Sequence, residues 1–215
     1  MYKRLMTNQL MKYFCLILFS LLLLSCKQNE RSEKQQGNKQ VEKKNRKAVT
    51  IKILPLGKTT PVFIQNTFSD LKKIVPNVQL LPKEAMPSFA YYKPRNRYRA
   101  DSLIAWMRKR AADGEVYLGI TMDDISTTKL PNPDHGIMGL GYQPGNACIA
   151  SNFRVRDKKN YYKVVIHELG HTAGLPHCPQ PFCFMRDAEG KDVTGEEKEF
   201  CAGCKAHLKK AGWRL

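Results

Sequence analysis

The sequence predicts an α/β protein in which strands and helices alternate along the chain. Apolar runs and alternating apolar and polar residues, typical of strands, are separated by segments with apolar residues at helical spacing. Of the 215 residues, 42% are hydrophobic and 9% aromatic, enough for a sizeable core and too much for a wholly disordered chain. No central run is long and apolar enough to cross a bilayer. Multi-pass membrane proteins, collagens and coiled coils are therefore excluded.

The first half of the folded part is expected to contain two strands and two helices. Apolar and polar residues alternate up to Pro55, which with Gly57 ends the first strand. Apolar residues recur at helical spacing in both helices, and Asp101 is expected to cap the second. In order, the elements are a strand at residues 49–55, a helix at 62–75, a short strand at 78–81 and a helix from 101 to about 112.

The second half is expected to contain three strands and one long helix. The apolar run at residues 115–121 is typical of a buried strand, and two shorter strands, 136–141 and 147–153, flank the turn residues Pro144-Gly145-Asn146. A helix is expected at about 160–172, followed by a cysteine-rich segment with little regular structure before Gly203. There are no internal repeats, so residues 48–215 are expected to form one domain.

Residues 1–25 are expected to be a targeting signal. Three basic residues precede a ten-residue apolar run from Cys15 to Leu24, which is too short to span a bilayer as a helix. The sequence Leu23-Leu24-Ser25-Cys26 resembles the lipobox of bacterial lipoproteins, in which the cysteine is lipidated and becomes the mature N-terminus. We therefore expect an exported lipoprotein, anchored at Cys26 to a membrane of the bacterial cell envelope. The alternative is an ordinary secretory signal followed by a chance cysteine.

Residues 26–47 are expected to form a disordered, basic tether. After Cys26 they contain eight basic and three acidic residues and no aromatic residue, within a chain of formal net charge +17. A basic segment could also bind anionic lipid head groups or nucleic acid. Because an exported protein does not meet nucleic acid in the cytoplasm, no nucleic-acid partner is expected.

A zinc site is predicted between residues 167 and 177. His167 and His171 are four residues apart, so on a helix both imidazoles lie on one face and can bind one Zn²⁺. Glu168 follows the first ligand and points to another side of the helix, where it can accept a proton from a water molecule activated by the metal. The alternative is that these histidines are ordinary polar neighbours on a helix.

His177 is predicted to be the third zinc ligand. Gly174 allows the positive φ that often ends a helix, and Pro176 prevents the helix from resuming. The chain can then turn back and bring His177 to the metal. Three histidines leave one coordination position open, as a catalytic zinc site requires.

Four cysteines predict a second, structural zinc site. Four residues separate Cys178 from Cys183, and two separate Cys201 from Cys204. Two such pairs can complete a tetrahedral site of four thiolates, which has no open position for catalysis. Two disulfides are the alternative, because the cell envelope permits them. We favour zinc, since this segment has few apolar residues to hold it together.

Residues 167–204 resemble the archaemetzincins, a branch of the metzincin zinc peptidases. Their signature joins a motif of three histidines to four cysteines, with a methionine two residues after the second cysteine; here it is Met185. The resemblance implies that Met185 packs beneath the catalytic zinc as the Met-turn residue without binding it. Residues 116–125, 136–141 and 148–154 are more weakly similar to the family's strands. The resemblance implies a compact metzincin-like domain with a mixed twisted sheet, an active-site helix and a zinc-bound C-terminal segment.

The sequence thus predicts a lipid-anchored zinc metallopeptidase with two zinc ions per chain. Glu168 is expected to assist the attack of the activated water on a peptide bond. The resemblance implies that the strand at about 136–142 pairs with the extended peptide or protein substrate, as the edge strand of metzincins does. A monomer is expected. The alternative function is a catalytically silent, zinc-stabilised lipoprotein that binds peptides or proteins.

Five further polar residues are assigned to structure rather than to catalysis. Asp123 and Asp124 are expected to form a turn after a strand. Cys148 is expected to be a small buried residue, and both His135 and His207 are expected at the surface.

Overall fold

The computed structural model describes residues 49–215. The predictions for the signal segment, Cys26 and the tether therefore lie outside the described residues. None of the helices between residues 49 and 215 combines the length and the apolar character that a membrane span needs.

Within this range the chain contains four α-helices and nine strands. The helices are α1 (Pro61–Ile74), α2 (Ala100–Arg108), α3 (Tyr161–Thr172) and α4 (Ala202–Lys210). The strands are β1 (Thr50–Pro55), β2 (Val78–Leu80), β3 (Tyr91–Tyr92), β4 (Arg97–Arg99), β5 (Glu115–Thr121), β6 (Ile125–Lys129), β7 (Asn132–Ile137), β8 (Gly139–Gly141) and β9 (Ala147–Ser151).

The strands form two sheets. The larger has the order β2-β1-β5-β9-β8, in which only the edge strand β8 is antiparallel to its neighbour. The smaller has the order β3-β4-β6-β7. Strand β7 is at one edge of the smaller sheet and β8 is at one edge of the larger sheet. The single residue Met138 joins these two strands.

The larger sheet lies between two hydrophobic layers. On one face, Leu71 of α1 and Leu169 of α3 belong to the same buried cluster as Ile53 of β1. On the other face, Leu103 and Met107 of α2 belong to a second cluster with residues of β1, β5 and β9. Because both faces are covered, β5 is buried along almost its whole length, as its continuous apolar sequence predicts. The fold is the mixed α/β architecture predicted from the sequence.

Three local predictions were wrong, and the short strands β3 and β4 were also missed. The segment 136–141 is not one strand, because the chain leaves the smaller sheet at Ile137 and joins the larger at Gly139. Strand β6 was missed, since only its first two residues are buried. Helix α2 begins at Ala100 rather than after a cap at Asp101, and it ends at Arg108. Asp101 instead accepts a hydrogen bond from the Thr127 hydroxyl at 2.8 Å.

Candidate active site

The centre of the site is one face of helix α3. His167 and His171 are one turn apart, and their Nε2 atoms lie 3.0 Å from each other. Two imidazole nitrogens bound to one tetrahedral zinc at ~2.0–2.1 Å would be ~3.3 Å apart. The spacing of the two rings therefore fits a shared metal ion.

The end of helix α3 brings His177 back to this pair. Gly174 has φ +95°, and the amide of Leu175 donates to the carbonyl of Gly170 at 3.0 Å. This reversal places the His177 ring centroid 5.4 Å from that of His167 and 4.9 Å from that of His171. One nitrogen from each of the three rings lies within 4.8 Å of the others. The predicted convergence of the three histidines is thus present.

Each histidine also has a partner on the side away from its neighbours. Nδ1 of His167 lies 2.7 Å from the carbonyl of Phe184, and Nδ1 of His171 lies 2.8 Å from that of Leu175. Nδ1 of His177 lies 3.3 Å from Oδ2 of Asp187. These acceptors assign the ring proton to Nδ1 and leave Nε2 free to bind metal.

Burial favours the neutral form of two of these histidines. It lowers the pKa of His167 to about 3, with a further contribution from the neighbouring His171, and it also lowers the pKa of His171. A lowered histidine pKa favours the uncharged ring at neutral pH, which is the form that binds zinc. The donor set therefore fits a zinc ion in both geometry and protonation.

Glu168 lies between helix α3 and the edge strand. Its side chain is buried, and a Cβ atom built on Gly139 would lie 2.5 Å from its Oε1. Glycine at position 139 therefore makes room for the carboxylate beside β8. Burial raises the pKa of Glu168 to about 8. A cation at the adjacent histidines would oppose this shift, because a nearby positive charge favours the carboxylate.

Met185 lies on the inner side of helix α3 and is fully buried. A Cβ atom on Gly170 would lie 2.5 Å from the Met185 sulfur, so the helix carries glycine where the thioether packs. Glycine inside a helix costs about 1 kcal/mol relative to alanine. Here Gly170, which lies between His167 and His171 in the sequence, permits the close approach of Met185.

The four cysteines form a second cluster directly after His177. The Sγ atoms of Cys178, Cys183, Cys201 and Cys204 all lie within 4.8 Å of one another. Those of Cys178 and Cys201 are 3.7 Å apart, close to the ~3.8 Å of two thiolates on a tetrahedral zinc with Zn–S ~2.3 Å. All four are free thiols, and a disulfide would require ~2.05 Å. The geometry therefore fits zinc rather than the alternative of two disulfides.

A cleft of about 680 Å³ opens at the histidines. The edge strand β8 and helix α3 form two of its walls, and residues 186–197 form another. The buried Lys163, one turn before His167, donates to the carbonyls of Thr194 at 2.6 Å and Glu197 at 2.7 Å. Lys163 thereby links the segment 186–197 to helix α3 through two hydrogen bonds. Burial raises the pKa of the Glu197 carboxyl to about 7, although the nearby Lys163 acts in the opposite direction.

The five residues assigned to structure have mixed outcomes. Cys148 is fully buried in β9, as predicted, and burial raises the pKa of its thiol. Asp124 is buried and bound to Arg154, so it is more than a turn residue. Asp123 accepts a hydrogen bond from the Lys58 amide at 2.8 Å. His207 is exposed, and His135 is half-buried and lines the cleft, where it is accessible from the surface.

Sequence reasoning missed several residues that build the site. Lys163 and Asp187 lie outside the motif of three histidines, and Gly170 lies within it at a position to which no role was assigned. Their roles follow only from the contacts given above. Of the three, only Lys163 could have been noticed, because it lies on the face of the helix that carries His167 and His171.

Comparison with known proteins places this geometry in a family. Residues 70–210 match peptidase family M54. An archaemetzincin of Halobacterium salinarum is 26% identical over 171 residues, which cover 72% of this chain and 96% of the relative. One of Methanopyrus kandleri is 30% identical over 138 residues, which cover 59% of this chain and 77% of the relative.

Solved structures agree with the sequence comparison. The crystal structure of archaemetzincin from Methanopyrus kandleri matches with a TM-score of 0.63 and 25% identity, covering 77% of this chain and 97% of that one. Archaemetzincin from Archaeoglobus fulgidus, complexed with malonate, matches with a TM-score of 0.61 and 25% identity, covering 74% of this chain and 99% of that one. The chain therefore belongs to peptidase family M54, the archaemetzincin family of zinc metallopeptidases.

Proposed function

We propose that this peptidase hydrolyses peptide bonds with Glu168 as the group that moves the proton. The observation that carries the proposal is the position of its carboxylate, beside the three histidines and against Gly139 of the edge strand. Among residues 49–215, no donor is hydrogen-bonded to this carboxylate. It is therefore available to a water molecule or to a substrate in the cleft.

The three histidines supply the metal site and Glu168 the proton transfer. Zinc in this site would supply a Lewis acid that acidifies water towards pKa ~7 and polarises the scissile carbonyl. The Glu168 carboxylate accepts a proton as the water oxygen attacks the carbonyl carbon. It then donates that proton to the amine nitrogen as the C–N bond breaks, and so returns to its starting form.

Strand β8 is suited to hold the substrate in register. Among residues 49–215 it is the last strand of its sheet, so the side away from β9 offers backbone groups that can pair with an extended peptide. Glu168 packs against Gly139 in this strand. A peptide paired with β8 is thereby aligned with the proton acceptor and the histidines.

The proposed activity is tested by incubating the zinc-loaded domain with a diverse peptide library and reading the products by mass spectrometry. We expect new peptide termini that disappear when a chelator removes the metal. Absence of cleavage across the library would favour the catalytically silent binding protein instead.

We further propose two zinc ions per chain, one held by His167, His171 and His177 and one by the four cysteines. Elemental analysis of the purified domain is expected to return two zinc ions, and titration with a thiol reagent after zinc removal should detect all four cysteines. One zinc ion together with four oxidised cysteines would establish the disulfide alternative and refute the second site.

Anchoring through a lipid on Cys26 is a separate proposal, supported by the lipobox-like sequence before it. Cys26→Ser is expected to move the protein from the membrane fraction to the soluble fraction, or to block its maturation, because the lipid is attached through the thiol. Fractionation of bacterial cells expressing both forms measures this. Membrane association equal to that of the parent would reject the lipid anchor and leave the basic tether as the contact.

A further inference from the structure

Arg154 is a charged residue of the cleft that the proposed chemistry does not use. It follows strand β9, and its Nε and Nη2 atoms each donate to one oxygen of Asp124 at 2.8 Å. A Cβ atom on Gly136 would lie 2.3 Å from its Cζ, so glycine at 136 lets the guanidinium lie across the strand. The Arg154 side chain is 34% exposed, whereas that of Asp124 is only 9% exposed. The buried carboxylate of Asp124 thus holds the accessible guanidinium of Arg154 in place.

Arg154 is the end of a longer series of alternating charges that runs behind the cleft. Asp124 also lies 3.1 Å from Arg97 Nε, and Arg97 Nη1 lies 3.4 Å from Asp134. The series continues through Arg99 to Asp101, at 3.4 Å and 3.2 Å. Its cationic end, Arg154, lines the cleft, and the side chains of Arg97, Asp124 and Asp134 are each 9% exposed. This network holds the Arg154 guanidinium in one orientation.

The guanidinium retains donors for a ligand. It has five N–H groups, of which the two contacts with Asp124 use two. Within the described part of the chain, no acceptor is hydrogen-bonded to Nη1. A planar guanidinium with a free edge matches the geometry of a carboxylate.

The other charges of the cleft favour the same ligand. Lys129 and Lys191 also line the cleft, and among residues 49–215 neither forms an ion pair within 4 Å, although Lys129 contributes to the lowered pKa of Asp187. Three of the lining acids have partners: Asp187 contacts His177, Asp192 accepts from Thr194, and Glu197 lies beside Lys163. The fourth, Glu168, is the group assigned above to proton transfer. Apart from Glu168, the lining charges that have no hydrogen-bond or ion-pair partner among residues 49–215 are therefore positive.

Strand direction determines which part of a substrate meets Arg154. The chain runs from Gly136 to Gly141 along the rim of the cleft, and Glu168 lies at Gly139 between them. A peptide paired antiparallel to β8 places the residues after its scissile bond towards Gly136. We propose that Arg154 determines specificity by binding the carboxylate side chain of an Asp or Glu on the C-terminal side of the cleaved bond. This inference rests on the proposed function.

The test uses the zinc-loaded domain and an equimolar library of random octapeptides. Cleaved bonds are aligned by mass spectrometry, and the ratio of Asp and Glu to Asn and Gln is counted at the three positions after the bond. For the parent we expect a ratio of about 10 or more at one of these positions, since a charged hydrogen bond replaces a neutral one. Arg154→Gln should lower that ratio to about 1.

Arg110→Gln is the matched control. Arg110 also donates two hydrogen bonds to one carboxylate, Glu84, at 2.9 Å and 2.6 Å, but it does not line the cleft. Its substitution should leave the acidic preference unchanged. A parent that cleaves without acidic preference, or an Arg154→Gln variant that keeps the preference, would overturn the inference.

A binding measurement separates this inference from the proposed hydrolysis. Fluorescein-labelled alanine octapeptides carrying Glu or Gln at their fifth and sixth positions are titrated with zinc-loaded Glu168→Gln, with and without Arg154→Gln. Binding of the Glu peptide should be about 10-fold tighter and should lose this advantage with Arg154→Gln. Such a result without any cleavage by the parent would reject the hydrolysis and keep only the binding of an acidic side chain by Arg154. Equal affinity for both peptides would overturn the inference even if cleavage occurs.

Discussion

Glu168→Gln is expected to reduce peptide hydrolysis by ~10²–10⁴-fold, the range typical for loss of a general base. The amide has nearly the shape of the carboxyl group but cannot accept the proton of the attacking water. Zinc content should stay unchanged, because the three histidines and not Glu168 are the proposed zinc ligands. The comparison of kcat/KM with zinc content in the same preparation measures both effects.

Stability provides a second readout for the same variant. Burial raises the pKa of Glu168 to about 8, so the uncharged amide is compatible with this environment and the thermal midpoint should not fall. His171→Ala is the contrasting variant, since it should lose both activity and one zinc ion. Parental activity in Glu168→Gln would show that another group moves the proton.

Cys204→Ser is expected to have the largest effect on stability. Cys204 belongs to helix α4, whereas Cys178 and Cys183 belong to the loop that follows the third histidine, so the proposed zinc site joins the two segments. Structural zinc is worth ~10–16 kcal/mol in zinc-finger peptides, compared with ~5–15 kcal/mol for the total stability of a typical domain. Zinc content should fall from two to one, and the free energy of unfolding in urea should fall by several kcal/mol.

Loss of the zinc site formed by the four cysteines should also impair the active site. Cys178 follows His177 directly, and its amide donates to the carbonyl of Met185 at 2.7 Å. Loosening this loop should therefore weaken zinc binding at His177 and lower kcat/KM. Cys148→Ser, a change of the same type in strand β9, should keep two zinc ions and serves as the control. A Cys204→Ser variant with two zinc ions and the parental unfolding midpoint would contradict the structural zinc site.

The local part of the site could be predicted from the sequence because its geometry depends on short-range rules. His167 and His171 share a face through helical periodicity, and Gly174 ends the helix so that His177 can return. The four cysteines were recognisable because paired spacings are typical of zinc ligands. The apolar run of β5 identified the most buried strand.

The rest depends on pairing between distant segments. Lys163 and Asp187 acquire their roles only when the segment after Met185 folds against helix α3. The contact between Asp124 and Arg154 joins residues 30 positions apart. At Met138 the chain passes from the smaller sheet to the larger one, and the local sequence does not indicate this change of partner.

The most direct test of the central claim is the rate of peptide hydrolysis by the zinc-free domain as zinc is added back, measured in parallel for the parent and Glu168→Gln. The account predicts that the parent has no activity without zinc and that its rate rises to a plateau at about two equivalents of zinc. The variant should bind the same amount of zinc while its rate stays ~10²–10⁴-fold lower. Hydrolysis by the metal-free parent, or equal rates for parent and variant at full zinc occupancy, would contradict it.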